Sequence, residues 1–180
     1  MSQANDKVVV TGLAWVGSGF GAIESAIEKL FREAKQEITI TAYSIGSSTD
    51  LLFEWLEAVL SRGVRINIIV NRLEAQPASV VSHLYNLLKC FPHFFLYQFM
   101  SDNEADLHAK VVIVDRKIAL VGSSNISRRG LLYNHELSVL VENPSAENLA
   151  RAVDILIASR YVSVVQIKAL SDNQLSDLTH

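Results

Sequence analysis

The chain alternates short apolar runs with longer stretches whose apolar residues recur every three or four positions. Residues 7–11 (KVVVT), 38–42 (ITITA), 64–70 (VRINIIV) and 94–99 (FFLYQF) are short and rich in β-branched or aromatic side chains. Such runs predict buried strands. Between them, Ile23, Ile27, Leu30 and Phe31 fall on one face of a helix spanning residues 22–35, and residues 50–62 and 77–90 carry the same period. Thr49 and Asp50 are candidate caps for the second helix, and Gly63 ends it. Residues 17–21 (GSGFG) predict a tight turn into the first helix. They lack the full G-x-G-x-x-G spacing and the lysine of a phosphate-binding loop.

The rhythm changes in the second half. Residues 108–114 and 118–121 predict a hairpin around Asp115, Arg116 and Lys117, followed by a strand at 136–141 and a helix at 146–160. Strand–helix alternation with a late antiparallel section predicts an α/β fold, a mixed, mostly parallel sheet with helices on both faces. No linker or low-complexity stretch interrupts it, so residues 1–180 are expected to form one domain.

Composition narrows the function without naming it. The net charge of −3 supplies no global attraction to a polyanion, so nucleic acid would need a local basic patch. One cysteine, Cys90, leaves no pair for a disulfide and no multi-cysteine zinc set. No stretch is long and apolar enough to span a bilayer, and no basic amphipathic helix stands out. The expectation is a cytoplasmic protein without stable membrane association.

The chemistry concentrates in residues 105–125, ADLHAKVVIVDRKIALVGSSN. Strand alternation puts His108 and Lys110 on one side and Asp115 on the other. An imidazole beside an ammonium makes a site for an anion: the histidine can attack phosphorus or give a proton, and the lysine holds phosphate charge. Lys110 and Asn125 are candidates to hold phosphoryl oxygens, with Ser123 a further substrate-binding candidate. Arg128 and Arg129, three residues beyond Asn125, are candidates for flanking phosphates. Asp115 belongs to the same motif, but parity suits it better to holding the turn or a backbone amide.

The array of His108, Lys110 and Asp115, then Gly122, Ser123 and Asn125, resembles the H-x-K-x4-D-x6-G-S-x-N motif of the phospholipase D superfamily. The match extends over about residues 20–160 and is similar to the short single-motif nucleases of that superfamily. It is also similar to phospholipase-D-like proteins of bacterial antiphage defence islands. The resemblance implies a phosphodiesterase with a phosphohistidine intermediate on His108, no metal and no cofactor. It also implies a homodimer, because two such motifs meet about a twofold axis and this chain holds one. Glu136, after Asn134 and His135, stands where the family places a downstream acidic residue, and is expected to accept a hydrogen bond from the non-reacting nitrogen of His108. The substrate implied is DNA or RNA, with further subunits of a defence complex as candidate partners. A phospholipid phosphodiesterase and a non-catalytic nucleic-acid-binding subunit of a defence or repair complex are the alternatives.

Overall fold

The computed structural model describes residues 6–47, 50–101 and 105–166, so the cap expected at Thr49 lies outside the described residues. Among these, nine strands form one sheet: β1 (Lys7–Thr11), β2 (Gly21–Ala22), β3 (Glu37–Ala42), β4 (Arg65–Asn71), β5 (Phe94–Phe99), β6 (Val111–Val114), β7 (Ile118–Gly122), β8 (Glu136–Glu142) and β9 (Val162–Val164). The helices are α1 (Ile23–Glu33), α2 (Asp50–Ser61), α3 (Ala78–Cys90), α4 (Arg128–Leu132) and α5 (Ser145–Ile157).

Alternation along the strands builds two cores. Ile38, Ile40 and Ala42 of β3 stand beside Ile66, Ile68 and Val70 of β4 in register, and Val112 and Val114 of β6 continue the same face. Onto that face pack Ile23 and Ile27 of α1, Leu56 of α2 and Leu84 of α3. Each such fully buried aliphatic side chain contributes about 1.5–3 kcal/mol. The opposite face holds a smaller cluster, in which Ile69, Val111, Ile113 and Ala119 are covered by Ala146, Ala150 and Val153 of α5. Helices therefore cover both faces of a mixed sheet, as the pattern predicted.

One part of that expectation needs correcting. The strand order β2-β1-β8-β7-β6-β3-β4-β5-β9 has three parallel pairings and five antiparallel ones, so the sheet is not mostly parallel. One reason is the shortness of the β6–β7 connection. Parallel pairing needs a crossover of a dozen residues or more, whereas β6 and β7 are joined by a tight turn. Asp115 and Arg116 in that turn have φ of 52° and 55°, the signs of a type I′ hairpin turn without glycine. Arg116 is held there by Glu147 and Asp154 at 3.0 and 2.9 Å.

The topology gathers one edge of the sheet. β1, β3, β4, β5 and β7 end there and the antiparallel β6 and β8 begin there. Open α/β sheets bind ligands outside the carboxyl ends of their parallel strands. Residues 108–110, 122–125 and 136 all reach this edge.

Candidate active site

His108 and Lys110 lie in the extended lead into β6, where Gly122 N–H donating to Lys110 O at 3.3 Å carries the ladder past the strand end. Lys110 Nζ donates to His108 Nδ1 and to His108 O, both at 3.0 Å. The two side chains thus share one side of the chain, as strand parity requires. His108 is exposed and Lys110 half-buried. Burial pulls the Lys110 pKa below the usual lysine range, and the Glu136 carboxylate partly opposes that fall. Tyr43, just beyond β3, tilts its ring against His108 with centroids 4.5 Å apart, and Lys110 Nζ sits 5.7 Å from the same ring. Tyr43 is a site residue that the motif spacing does not point to; its only sequence signal is its place after the strand at 38–42.

The loop after β7 is positioned by glycine. A Cβ at Gly122 would collide with Ser138 Oγ and lie 2.6 Å from Leu137 O, so only glycine lets β7 close onto β8 at this level. That closeness brings Ser123 Oγ into a short hydrogen bond with Glu136 Oε2. Leu137 N–H donates to the same hydroxyl at 3.2 Å, and Asn134 Nδ2 donates to Glu136 Oε1 at 3.3 Å.

These contacts depart from the expected roles of Glu136 and Ser123. Within one chain Glu136 accepts from Ser123 and Asn134, while the inner nitrogen of His108 faces Lys110. Ser123 accordingly gives its hydroxyl proton to Glu136. The physical reason is that a hydroxyl and a carboxylate opposed across the narrow β7–β8 step pair with each other. The His108 tautomer follows. With Lys110 donating to Nδ1, a neutral ring carries its hydrogen on Nε2. To attack through Nε2 the ring must carry its hydrogen on Nδ1, and to act as an acid it must carry hydrogens on both nitrogens; in either state Lys110 has to give up its bond to Nδ1.

Asn125 ends the motif. Its Oδ1 is buried without a hydrogen-bond partner, alone in that state among the described side-chain atoms. An orphaned buried acceptor is costly, and such groups mark sites where function outweighs stability. Arg128 and Arg129 open α4, whose cap is Ser127 Oγ accepting from Gly130 N–H at 3.0 Å. Both are exposed, and the Arg128 guanidinium lies 5.7 Å from the Tyr133 ring. Asp115 is not part of the site. It lies at the other end of β6, accepting from the backbone N–H groups of Lys35, Gln36 and Glu37 at 2.7–3.3 Å. Three amides converging on one carboxylate account for an aspartate in the motif without any contact to substrate.

The other described histidines are engaged elsewhere. His83 stacks on Phe53 at 4.6 Å, His93 Nε2 lies 2.9 Å from Leu60 O, and His135 Nε2 accepts from Ala14 N–H at 3.2 Å.

Known proteins are similar to this chain in sequence and in fold. A family profile described as cardiolipin synthase, PLD-like domain, matches residues 27–157. The chain is 28% identical over 182 residues to cardiolipin synthase A of Buchnera aphidicola, an alignment covering 98% of this chain and 33% of that protein. It therefore spans about a third of the length of that relative. It is 29% identical over 119 residues to the DISARM protein DrmC of Bacillus paralicheniformis, covering 65% of this chain and 48% of that one. In fold it is similar to Nuc from Salmonella typhimurium, a phospholipase D family member. There the TM-score is 0.70 at 19% identity, with 92% of this chain and 100% of that one covered.

Proposed function

The chain belongs to the phospholipase D-like family, and from that premise we propose that it is a metal-independent phosphodiesterase acting on nucleic acid at a homodimeric site. The observation that carries this reading is the exposed His108 ring with the Lys110 ammonium locked against it. In-line displacement at phosphorus needs a nucleophile, a counter-charge for the non-bridging oxygens and an acid for the leaving oxygen. Lys110 supplies the charge, and the amide of Asn125 a donor. Nε2 of one His108, in the tautomer whose hydrogen sits on Nδ1, forms the N–P bond as the P–O bond to the leaving group breaks. The second His108, carrying hydrogens on both nitrogens, gives its Nε2 proton to that oxygen and becomes neutral. Water then attacks phosphorus, the second histidine takes its proton, and the N–P bond breaks. One imidazole cannot hold phosphorus and donate a proton at once, so two copies of the chain share the site.

Nucleic acid is favoured by Arg128 and Arg129, which stand exposed beside the Asn125 loop where flanking phosphates would run. A second reading is hydrolysis or exchange of a phospholipid headgroup, favoured by the family description and by the cardiolipin synthases among the relatives. Among the described residues no helix is long and apolar enough to cross a membrane. In either case further subunits of a defence complex remain candidate partners, in keeping with the DrmC similarity.

The test is a panel of substrates with chelator present: single-stranded DNA, plasmid, RNA, a chromogenic phosphodiester and phosphatidylglycerol vesicles. Cleavage of at least one nucleic acid at an unchanged rate is expected, because the counter-charge comes from Lys110. Activity lost to chelator and restored by magnesium contradicts the mechanism, and turnover of vesicles alone moves the substrate to lipid. Binding to DNA without turnover of any substrate supports the non-catalytic subunit.

A further inference from the structure

Behind the exposed edge lies a buried polar network that the mechanism above does not use. Asn71 ends β4 and is 4% exposed; Gln76, just past a short 3-10 turn (Leu73–Ala75), is 8% exposed. Polar side chains this deeply buried persist when their hydrogen bonds are satisfied, and these are. Asn71 Oδ1 accepts from Leu107 N–H at 2.9 Å, and Asn71 Nδ2 donates to Asp106 Oδ1 at 3.1 Å. Only this orientation of the amide satisfies both neighbours, since reversal would oppose two donors and two acceptors. Arg72, in the left-handed region at φ 42°, donates from Nε to the same Asp106 oxygen at 2.9 Å. Gln76 braces the arrangement from below: its Nε2 donates to Asn71 O at 2.7 Å and Tyr43 O at 3.3 Å, and its Oε1 accepts from Ile45 N–H at 3.0 Å.

The segment that this network grips needs such support. β6 begins at Val111, so residues 105–108 precede the sheet ladder. Leu107 is 6% exposed, and its amide would be buried without a partner if Asn71 did not receive it. His108 is the next residue. Its ring rests on Tyr43, whose carbonyl belongs to the same brace. One polar unit therefore sets both the backbone that carries the imidazole and the aromatic surface against which it lies.

We propose that Asn71, braced by Gln76 and paired with Asp106, is a positioning residue that fixes the His108 imidazole for reaction. The inference rests on His108 being the reacting group. Holding a catalytic group in its attack geometry matters because misplacement by about 1 Å can cost on the order of 10²-fold in rate.

Four variants and two readouts test it. Asn71→Ala and Asn71→Asp remove or oppose the Asp106 contact and are expected to lower kcat on the order of 10- to 100-fold, with KM within about threefold. The exchange Asn71→Asp with Asp106→Asn rebuilds the pair with donor and acceptor reversed, and is expected to recover most of kcat. The second readout is nuclear magnetic resonance without substrate. The ring signals of His108 should move in Asn71→Ala, while those of His83 and His93, anchored at Phe53 and Leu60, stay in place. If Asn71→Ala does not fold, Asp106→Ala, at the exposed end of the pair, is expected to give the same signs. A kcat that falls only with the folded fraction, no recovery in the exchange, or unmoved His108 signals each overturn the proposal. Because the spectra need no substrate, they still decide it if no phosphodiester is cleaved.

Discussion

His108→Ala is expected to reduce phosphodiester turnover to background, a loss on the order of 10⁴-fold or more, because both the nucleophile and the leaving-group acid disappear together. The fold should not notice. His108 is exposed, and its ring touches Tyr43 and Lys110 at the edge of the sheet, away from the apolar cores of α1–α3 and α5. Surface changes of this kind shift stability by about 0.5 kcal/mol or less. Denaturant unfolding measured beside activity separates the two effects. A variant with an unchanged unfolding midpoint and near-normal turnover would remove His108 from the mechanism.

Lys110→Ala is expected to cost about 2–4 kcal/mol in transition-state stabilisation, or roughly 30- to 10³-fold in kcat, the range for losing a preorganised charge-stabilising group. Its charge also sets an alkaline limit. Burial holds the Lys110 pKa below the ordinary lysine range despite the Glu136 carboxylate. The ammonium is present below that pKa and lost above it, so the rate should fall as pH rises through a value lower than a free lysine would give. Lys110→Arg, which stays charged throughout, should move that fall to higher pH even if its larger head lowers the maximum rate. A pH–rate profile of both proteins checks this, and identical alkaline limbs would show that another group titrates there.

How much of this was legible in the sequence varies from residue to residue. The strands at 38–42 and 64–70 and the helix through Ile23, Ile27, Leu30 and Phe31 announce themselves because one face of each is buried, and burial writes a period into the chain. The short α4, β2 and β9 do not, since elements of two to five residues are too brief to carry a period. The hairpin around Asp115 was readable, but a count of parallel pairings was not, because strand order depends on which edge a returning chain meets. His108 and Lys110 could be placed on one side by parity alone. Glu136 could not be assigned its neighbour: Ser123 reaches it only because Gly122 lets β7 and β8 close, a contact between residues thirteen apart in sequence. Tyr43, Asn71 and Gln76 left no trace in the motif. Their contacts with the His108 segment join residues far apart in sequence, and a single strand pattern does not show which neighbours it will meet.

The claim on which the account turns is that two copies of His108 complete one site. Wild-type protein and His108→Ala, co-folded in equal amounts so that chains pair at random, test it most directly. If each site needs both histidines, only wild-type pairs are active, and about a quarter of the original activity should remain, because half of the partners on each side are defective. Loss of half the activity, in strict proportion to the mutant fraction, or a fully active monomer, would show instead that each chain carries a complete site of its own.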